Sequence, residues 1–214
     1  AEQPQGTDEG AGIHGDRSIE QGAGGMSLTF DEATHTYRVN GRPIPSVTGI
    51  LRAENFIDTA FFTDYGRERG KLAHLAIHLL DMGELDEESL DPVLSPFVEA
   101  WKRFRADTGV EIIESEQPIV DPLRRYAGTP DKIAMLYGKT TVLDVKTGTV
   151  SPWVRLQLCA YCEAKGIYRR AAVQLNDDGT YKMHTYTDRQ DFGVWNATLA
   201  VYWWKANELK KRRG

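Results

Sequence analysis

Cysteine is almost missing from this chain: 214 residues hold two, Cys159 and Cys162. A structural zinc site or an iron–sulfur cluster usually takes four protein ligands. A single C-x-x-C within a helical pattern therefore reads as two small core residues rather than a metal site or a disulfide. Long apolar runs are missing too. No stretch approaches the roughly 20 residues a membrane-spanning helix needs, so no membrane partner is expected. The opening AEQPQGTDEG lacks the basic-then-apolar pattern of a secretion signal, and the expected location is the cytoplasm. An excess of positive charge is also lacking: 26 Lys and Arg stand against 31 Asp and Glu, a net charge of −5. That balance argues only weakly against a nucleic-acid partner, because binding depends on local charge and a metal-using site needs carboxylates of its own. With 41% hydrophobic and 27% charged residues, the chain suits one sizeable soluble domain with extensions.

Residues 1–25 are polar and glycine-rich and cannot bury enough surface to offset their ordering entropy. They read as a disordered leader or expression remnant, with Met26 a candidate natural start and 26–214 a single domain. SLTFDEATHTYRVNGRPIP alternates well enough for a hairpin turning at Asn40-Gly41. Ser46-Val47-Thr48 opens a short helix that either hydroxyl could cap. The spacing predicts a helix over about 60–82, with Leu72, Leu75, Ala76 and Leu79 on one face and Gly83 as stop. A second is expected from about Leu94 to Thr108, where Phe97, Ala100, Trp101 and Phe104 recur at helical spacing. EIIESEQPIV, YAGTPDKIAML and TTVLDVKTG then read as three β segments, the last two joined by a turn at Tyr137-Gly138-Lys139. Ser151-Pro152 is a strong helix start for a helix ending at Gly166. A hairpin of RAAVQL and YKMHTY turns around Asn176–Gly179, and a long tryptophan-rich helix ends in Lys210-Lys211-Arg212-Arg213. The expected fold class is α/β: a central mixed β-sheet flanked by helices, with an N-terminal hairpin and helical extension.

Chemistry gathers in GTPDKIAMLYGKTTVLDVKTG, residues 128–148. Residues two apart in a strand share a face. Leu143 and Val145 point one way into a core, while Asp144 and Lys146 lie side by side on the other face. A hairpin closed at Gly138 brings Asp131 near that face. Two carboxylates and an ammonium so placed can hold a divalent cation and orient a water. Magnesium or manganese prefers hard oxygen ligands and keeps several waters, and the carbonyl of Val145 is a candidate third ligand. Lys146 can position or deprotonate the water, helped by the lowered pKa of water on a metal. Taken alone, the same residues would be a cross-strand salt bridge beside a Lys-Thr-Gly turn.

Context favours the site. G-T-P-D, twelve residues, D-V-K-T-G and then Q-x-x-x-Y on the following helix resemble the PD-(D/E)XK nuclease superfamily, and within it the RecB-like and phage-type exonucleases. Upstream, Arg69-Gly70-Lys71-Leu72-Ala73-His74 resembles the helix that supplies a histidine to the metal in these enzymes. Pro45-Ser46-Val47-Thr48 is similar to phage members and to the mitochondrial genome maintenance exonuclease. The likeness spans about residues 29–165. It implies a restriction-endonuclease-like core, with Asp131 and Asp144 as metal ligands, Lys146 as the catalytic lysine and His74 as a further ligand. Glu116 stands where the subgroup often has a glutamate, with Glu114 its competitor two residues away on the same strand face. Gln157 and Tyr161, one helical turn apart, would brace the site or contact DNA. Iron–sulfur members carry four cysteines around the core, which this chain does not match, so no cluster is expected.

The other candidates carry two readings each. His74 and His78 form H-x-x-x-H, but no Glu follows His74 as a metalloprotease would need, and His78 reads as structural or surface. Tyr161 is equally a core residue. Ser46 and Thr48 are helix caps, or a phosphate site at a helix start. Arg124 and Arg125 reach phosphates or are plain loop arginines. The tryptophans of the last helix look like core, though adjacent Trp203 and Trp204 cannot both face inward and one could stack on a base. The reading implied is a Mg²⁺- or Mn²⁺-dependent DNA exonuclease of phage or prophage recombination or end processing. A recombination annealing protein or helicase is a possible partner, and the oligomeric state is not legible. Its rivals are a structure-specific endonuclease or nuclease module of a repair complex, and a non-catalytic DNA-binding protein on a nuclease fold.

Overall fold

The computed structural model describes residues 17–21, 26–58 and 63–212. The chain divides into two compact units, Ala1–Ile44 and Pro45–Gly214. In the first unit, β1 (Arg17–Gln21), β2 (Met26–Asp31), β3 (Thr36–Val39) and β4 (Arg42–Ile44) form an antiparallel meander in that order. Asn40 and Gly41, both at positive φ (49° and 75°), make the expected turn between β3 and β4. An earlier turn, where Asp31 Oδ1 accepts from Thr34 N at 3.0 Å, adds strands ahead of the expected hairpin. Arg17–Gln21 lies within the segment expected to be a leader and pairs with β2. Residues 1–16 and 22–25 lie outside the described residues.

The second unit contains α1 (Val47–Ala53), α2 (Asp64–Met82), α3 (Ser95–Thr108), β5 (Glu111–Ser115), β6 (Ile119–Asp121), β7 (Tyr126–Gly128), β8 (Lys132–Leu136), β9 (Lys139–Lys146), α4 (Val154–Lys165), β10 (Arg169–Leu175), β11 (Tyr181–Tyr186) and α5 (Gln190–Lys211). Its main sheet has five strands in the order β11-β10-β9-β8-β5. Strands β9 and β10 run parallel across the α4 crossover and the other pairs are antiparallel, giving a mixed sheet. Two of the three expected β segments are each cut in two, at Glu116–Pro118 and at Thr129–Asp131. The freed pieces, β6 and β7, pair separately. Tyr137 and Gly138, at φ 51° and 69°, close the expected turn into β9.

Both faces of the sheet are covered. Ile133, Val142 and Ala172 pack with α1, α4 and α5. Ala134, Leu136, Leu143, Val145, Ala171 and Val173 pack with α2 and α3. The alternation Val142–Leu143 across β9 sorts these clusters to opposite faces. The α3 face came out as the sequence predicts, with Phe97, Ala100, Trp101 and Phe104 buried. On α2 the inward stripe is Ala73, Ala76 and Ile77, while Leu72 and Leu75 are 43% and 52% exposed. The small and branched residues, not the leucines, fit against α3 and the sheet. Ser151 does not cap α4. The helix starts at Val154 with Trp153 at the cap position and no side-chain cap bond, because Ser151–Trp153 forms a preceding turn (Val154 N to Ser151 O, 3.1 Å). The helix does stop at left-handed Gly166. Of the tryptophans in α5, Trp195 is fully buried and Trp204 is 64% exposed. Arg213 of the basic tail lies outside the described residues. Among the described residues no helix is long and apolar enough to cross a membrane.

Candidate metal centre

Strand β9 delivers Asp144 and Lys146 at its carboxyl end. In the β8–β9 register Lys132 faces Leu143, so one step further along Asp131 comes opposite Asp144. Asp131 Oδ2 accepts from Val145 N at 2.6 Å, which pins the carboxylate to β9 beyond the last rung of the ladder. A strand residue's N–H and C=O point to the same edge. The Val145 carbonyl therefore faces the edge where Asp131 sits.

Two other elements converge there. His74 of α2 places Nδ1 at 3.7 Å from Asp131 Oδ2 and 3.8 Å from Glu116 Oε1. Ligand atoms of His74, Glu116 and Asp131 all lie within 4.8 Å of one another, and each side chain is partly exposed. Glu116 is here because the chain leaves β5 at this residue with φ 52°, a turn backbone rather than strand. Its N–H donates to Asp131 O at 3.0 Å. The expected shared strand face of Glu114 and Glu116 is therefore broken: Glu114 pairs instead with Lys165 Nζ at 2.7 Å. Asp144 stands outside the 4.8 Å group. Its carboxylate is buried and meets Lys146 Nζ at 2.8 Å (Oδ1) and 2.7 Å (Oδ2), the latter without a formed hydrogen bond.

The electrostatics follow from crowding. Burial pushes the Asp144 carboxyl up to about 6 against the pull of Lys146, and the Asp131 charge adds to the rise. Burial also works against the Lys146 ammonium, but Asp144 and Asp131 outweigh it and the group is held protonated above its ordinary range. His74 behaves likewise: burial opposes its charge, Asp131 and Glu116 favour it, and the net direction is upward. Three carboxylates crowded around one imidazole and one ammonium lack cationic charge. The donor set of carboxylate oxygens, one imidazole and a backbone carbonyl fits a divalent cation.

Gln157 and Tyr161 come together as the helical spacing predicts, with Gln157 Nε2 donating to Tyr161 Oη at 3.1 Å and both residues buried. Tyr161 also explains the glycine of G-T-P-D. A Cβ on Gly128 would lie 2.6 Å from Tyr161 Cε1, so only glycine lets β7 pass the ring. Ser46 caps α1 by accepting from Gly49 N at 3.0 Å, and its backbone bridges Ala127 beside Gly128. Thr48 does not cap; its Oγ1 lies 3.5 Å from Ser46 Oγ. Arg124 is tied to Asp121 at 2.9 Å and to Glu163 at 3.5 Å. Arg125 stacks 4.1 Å from the Trp203 ring centroid. Both arginines thus have intramolecular partners. Cys159 and Cys162 are buried and unpaired, their thiols pushed up to about 12 by burial.

Two neighbours of the site, Trp153 and Arg69, were given no role of their own by the motif reading, although Arg69 opens the Arg69–His74 motif. Trp153 lies with its ring 5.9 Å from Lys146 Nζ. Arg69 reaches toward Thr147 O at 3.5 Å from between Tyr65 and Phe97. The R-G-x-x-x-H spacing could have flagged Arg69, one and a half turns from His74. Nothing in the local sequence marks Trp153.

No protein-family model matches the chain, and no curated protein does. Among solved structures, the chain is similar to an alkaline exonuclease from Laribacter hongkongensis (LHK-Exo), at 15% identity over 78% of this chain and 91% of that one, TM-score 0.47. The same protein in complex with dAMP gives 16% identity, 79% and 92% coverage and TM-score 0.47. A likeness this distant carries no weight for function, which has to rest on the site itself.

Proposed function

We propose that this chain is a metal-dependent deoxyribonuclease of the PD-(D/E)XK type that removes nucleotides from DNA ends. The observation that carries the reading is the convergence of His74, Glu116 and Asp131 within 4.8 Å beside the paired Asp144 and Lys146. This occurs at the sequence positions where the motif resemblance asks for it. Asp131, Glu116, His74 and the Val145 carbonyl would hold Mg²⁺ or Mn²⁺, with Asp144 completing the set once Lys146 turns toward substrate. A bound divalent cation would supply charge neutralisation at the scissile phosphate and a water acidified for attack.

The protein's own groups do the rest. Lys146, held protonated by Asp144 and Asp131, donates to the attacking water or to a phosphate oxygen. Its side chain is 24% exposed, whereas that of Asp144 is 2%, so the ammonium is the member of the pair that can reach substrate. Asp131 is oriented by the Val145 N–H. Gln157 and Tyr161 brace α4 beneath β9 and β7. Contacts of this kind address sugar–phosphate and not base edges, which suits trimming of ends without sequence preference. A role in phage or prophage recombination fits that activity. Incubating the protein with Mn²⁺ and either linear or covalently closed circular DNA tests the end requirement. Release of mononucleotides or short oligomers from linear DNA alone is expected. Cleavage of the circle would make the protein an endonuclease.

A further inference from the structure

A second charged cluster lies directly behind the metal-centre residues. Lys132 is 1% exposed, one of the largest fully buried side chains of the protein. Its Nζ lies 2.7 Å from Asp81 Oδ2 and donates to Ser115 Oγ at 2.6 Å. Ser115 Oγ in turn lies 2.7 Å from His78 Nδ1. Asp81 also accepts from Trp101 Nε1 at 2.9 Å and Arg105 Nη1 at 3.0 Å.

The members of this cluster are placed against the three converging side chains in a regular way. Ser115 precedes Glu116 and Lys132 follows Asp131. Ser115 and Lys132 face each other as a rung of the β5–β8 ladder, and the Glu116 N–H to Asp131 O bond is the next step outward. His78 lies one helical turn after His74 on α2, and Asp81 nearly one turn further. The partly buried chain Asp81–Lys132–Ser115–His78 thus ties α2 to β5 and β8 at the level from which His74, Glu116 and Asp131 all project. Taking two charges out of water is costly, and apolar residues would have filled the space at least as stably. A buried ion pair placed here instead imposes a specific register on the three elements.

We propose that Asp81, Lys132, Ser115 and His78 are positioning residues that preset the His74–Glu116–Asp131 spacing for a divalent cation. The inference rests on the nuclease reading and adds residues that the motif resemblance does not include. Outer residues of this kind typically change metal affinity by 10- to 100-fold. The test is Mn²⁺ binding by the full chain without DNA, measured by calorimetry, with thermal melting alongside. Ser115→Ala, which removes one hydroxyl, is expected to weaken Mn²⁺ binding about 10-fold or more while melting within a few degrees of wild type. Ser115→Thr, which restores the hydroxyl, is expected to bind as wild type does. Lys132→Met is expected to weaken binding at least as much, and if it does not fold, Ser115→Ala decides alone. Ser115→Ala binding Mn²⁺ as tightly as wild type overturns the positioning role. If that same wild type cuts DNA, the nuclease reading survives the loss. A wild-type protein that binds no Mn²⁺ overturns both.

Discussion

The molecule contains two Asp–Lys pairs of the same length in very different settings. Asp144–Lys146 and Asp81–Lys132 both close to 2.7 Å. In the second, both side chains are sealed (3% and 1% exposed) and the carboxylate gathers two further donors, Trp101 and Arg105. In the first, the carboxylate is equally buried but Lys146 is its one ion-pair partner among the described residues and remains 24% exposed, with Asp131 pressing like charge against it. The distance between the charges does not separate structure from chemistry here. What separates them is how many partners the carboxylate gathers and whether the lysine can leave. The closed pair, whose carboxylate also holds Trp101 and Arg105, ties elements together, while the half-open one leaves a lysine within reach of solvent, as the proposed role in binding a cation and a phosphate requires.

Substitutions in the two pairs are expected to separate activity from stability. The largest effect is expected from Asp144→Ala. It should lower DNA cleavage by about 10³-fold or more, in the range by which positioned catalytic groups act, while melting within a few degrees of wild type. Lys132→Met should do the reverse in stability, leaving Asp81 buried with a charge missing. Breaking a buried pair costs about 3–5 kcal/mol, which lowers the melting temperature by about 10 °C for a chain of this size.

Next comes pH. The Asp144 value of about 6 lies above the ordinary 3.8. Its contribution to stability is therefore complete below about pH 4 and lost as pH rises through 6. His74, raised from 6.5, adds a loss in the same direction at higher pH. The metal-free protein is accordingly expected to melt higher at pH 5 than at pH 8, and saturating Mn²⁺ should narrow that gap. Equal melting at both pH values without metal would contradict the crowded-carboxylate picture. The smallest contrast is between the two glutamates. Glu116→Ala should weaken Mn²⁺ binding, whereas Glu114→Ala, which loses a partly exposed pair with Lys165, should leave binding unchanged and cost no more than about 1 kcal/mol.

Much of this was legible where a pattern is local. Alternation in TTVLDVKTG placed Leu143 and Val145 in a core and Asp144 with Lys146. The Tyr137-Gly138 turn followed from its residues, and Gln157 and Tyr161 from helical spacing. The choice between Glu114 and Glu116 needed the backbone, because a positive φ at Glu116 undoes strand alternation and no residue type announces it. The inward face of α2 was legible only in part: Ala76 is buried as expected, but leucines outrank alanines in apolarity, and Ala73 and Ile77 rather than Leu72 and Leu75 pack with the α3 side chains. Ser151 lost the cap of α4 to a preceding turn. The Asp81–Lys132 pair was invisible for another reason: its partners lie far apart in sequence, and each alone reads as an ordinary surface charge.

If Asp131, Asp144 and Lys146 act together in phosphodiester hydrolysis, as proposed, activity needs both a divalent cation and the lysine. The most direct measurement is digestion of end-labelled linear single- and double-stranded DNA with Mg²⁺, Mn²⁺ or EDTA, by wild type and Lys146→Ala. Release of labelled nucleotides by wild type with metal, abolished by EDTA and by Lys146→Ala, is the predicted result. Cleavage that survives in Lys146→Ala, or no cleavage by wild type with either metal, would rule out that role for the three residues.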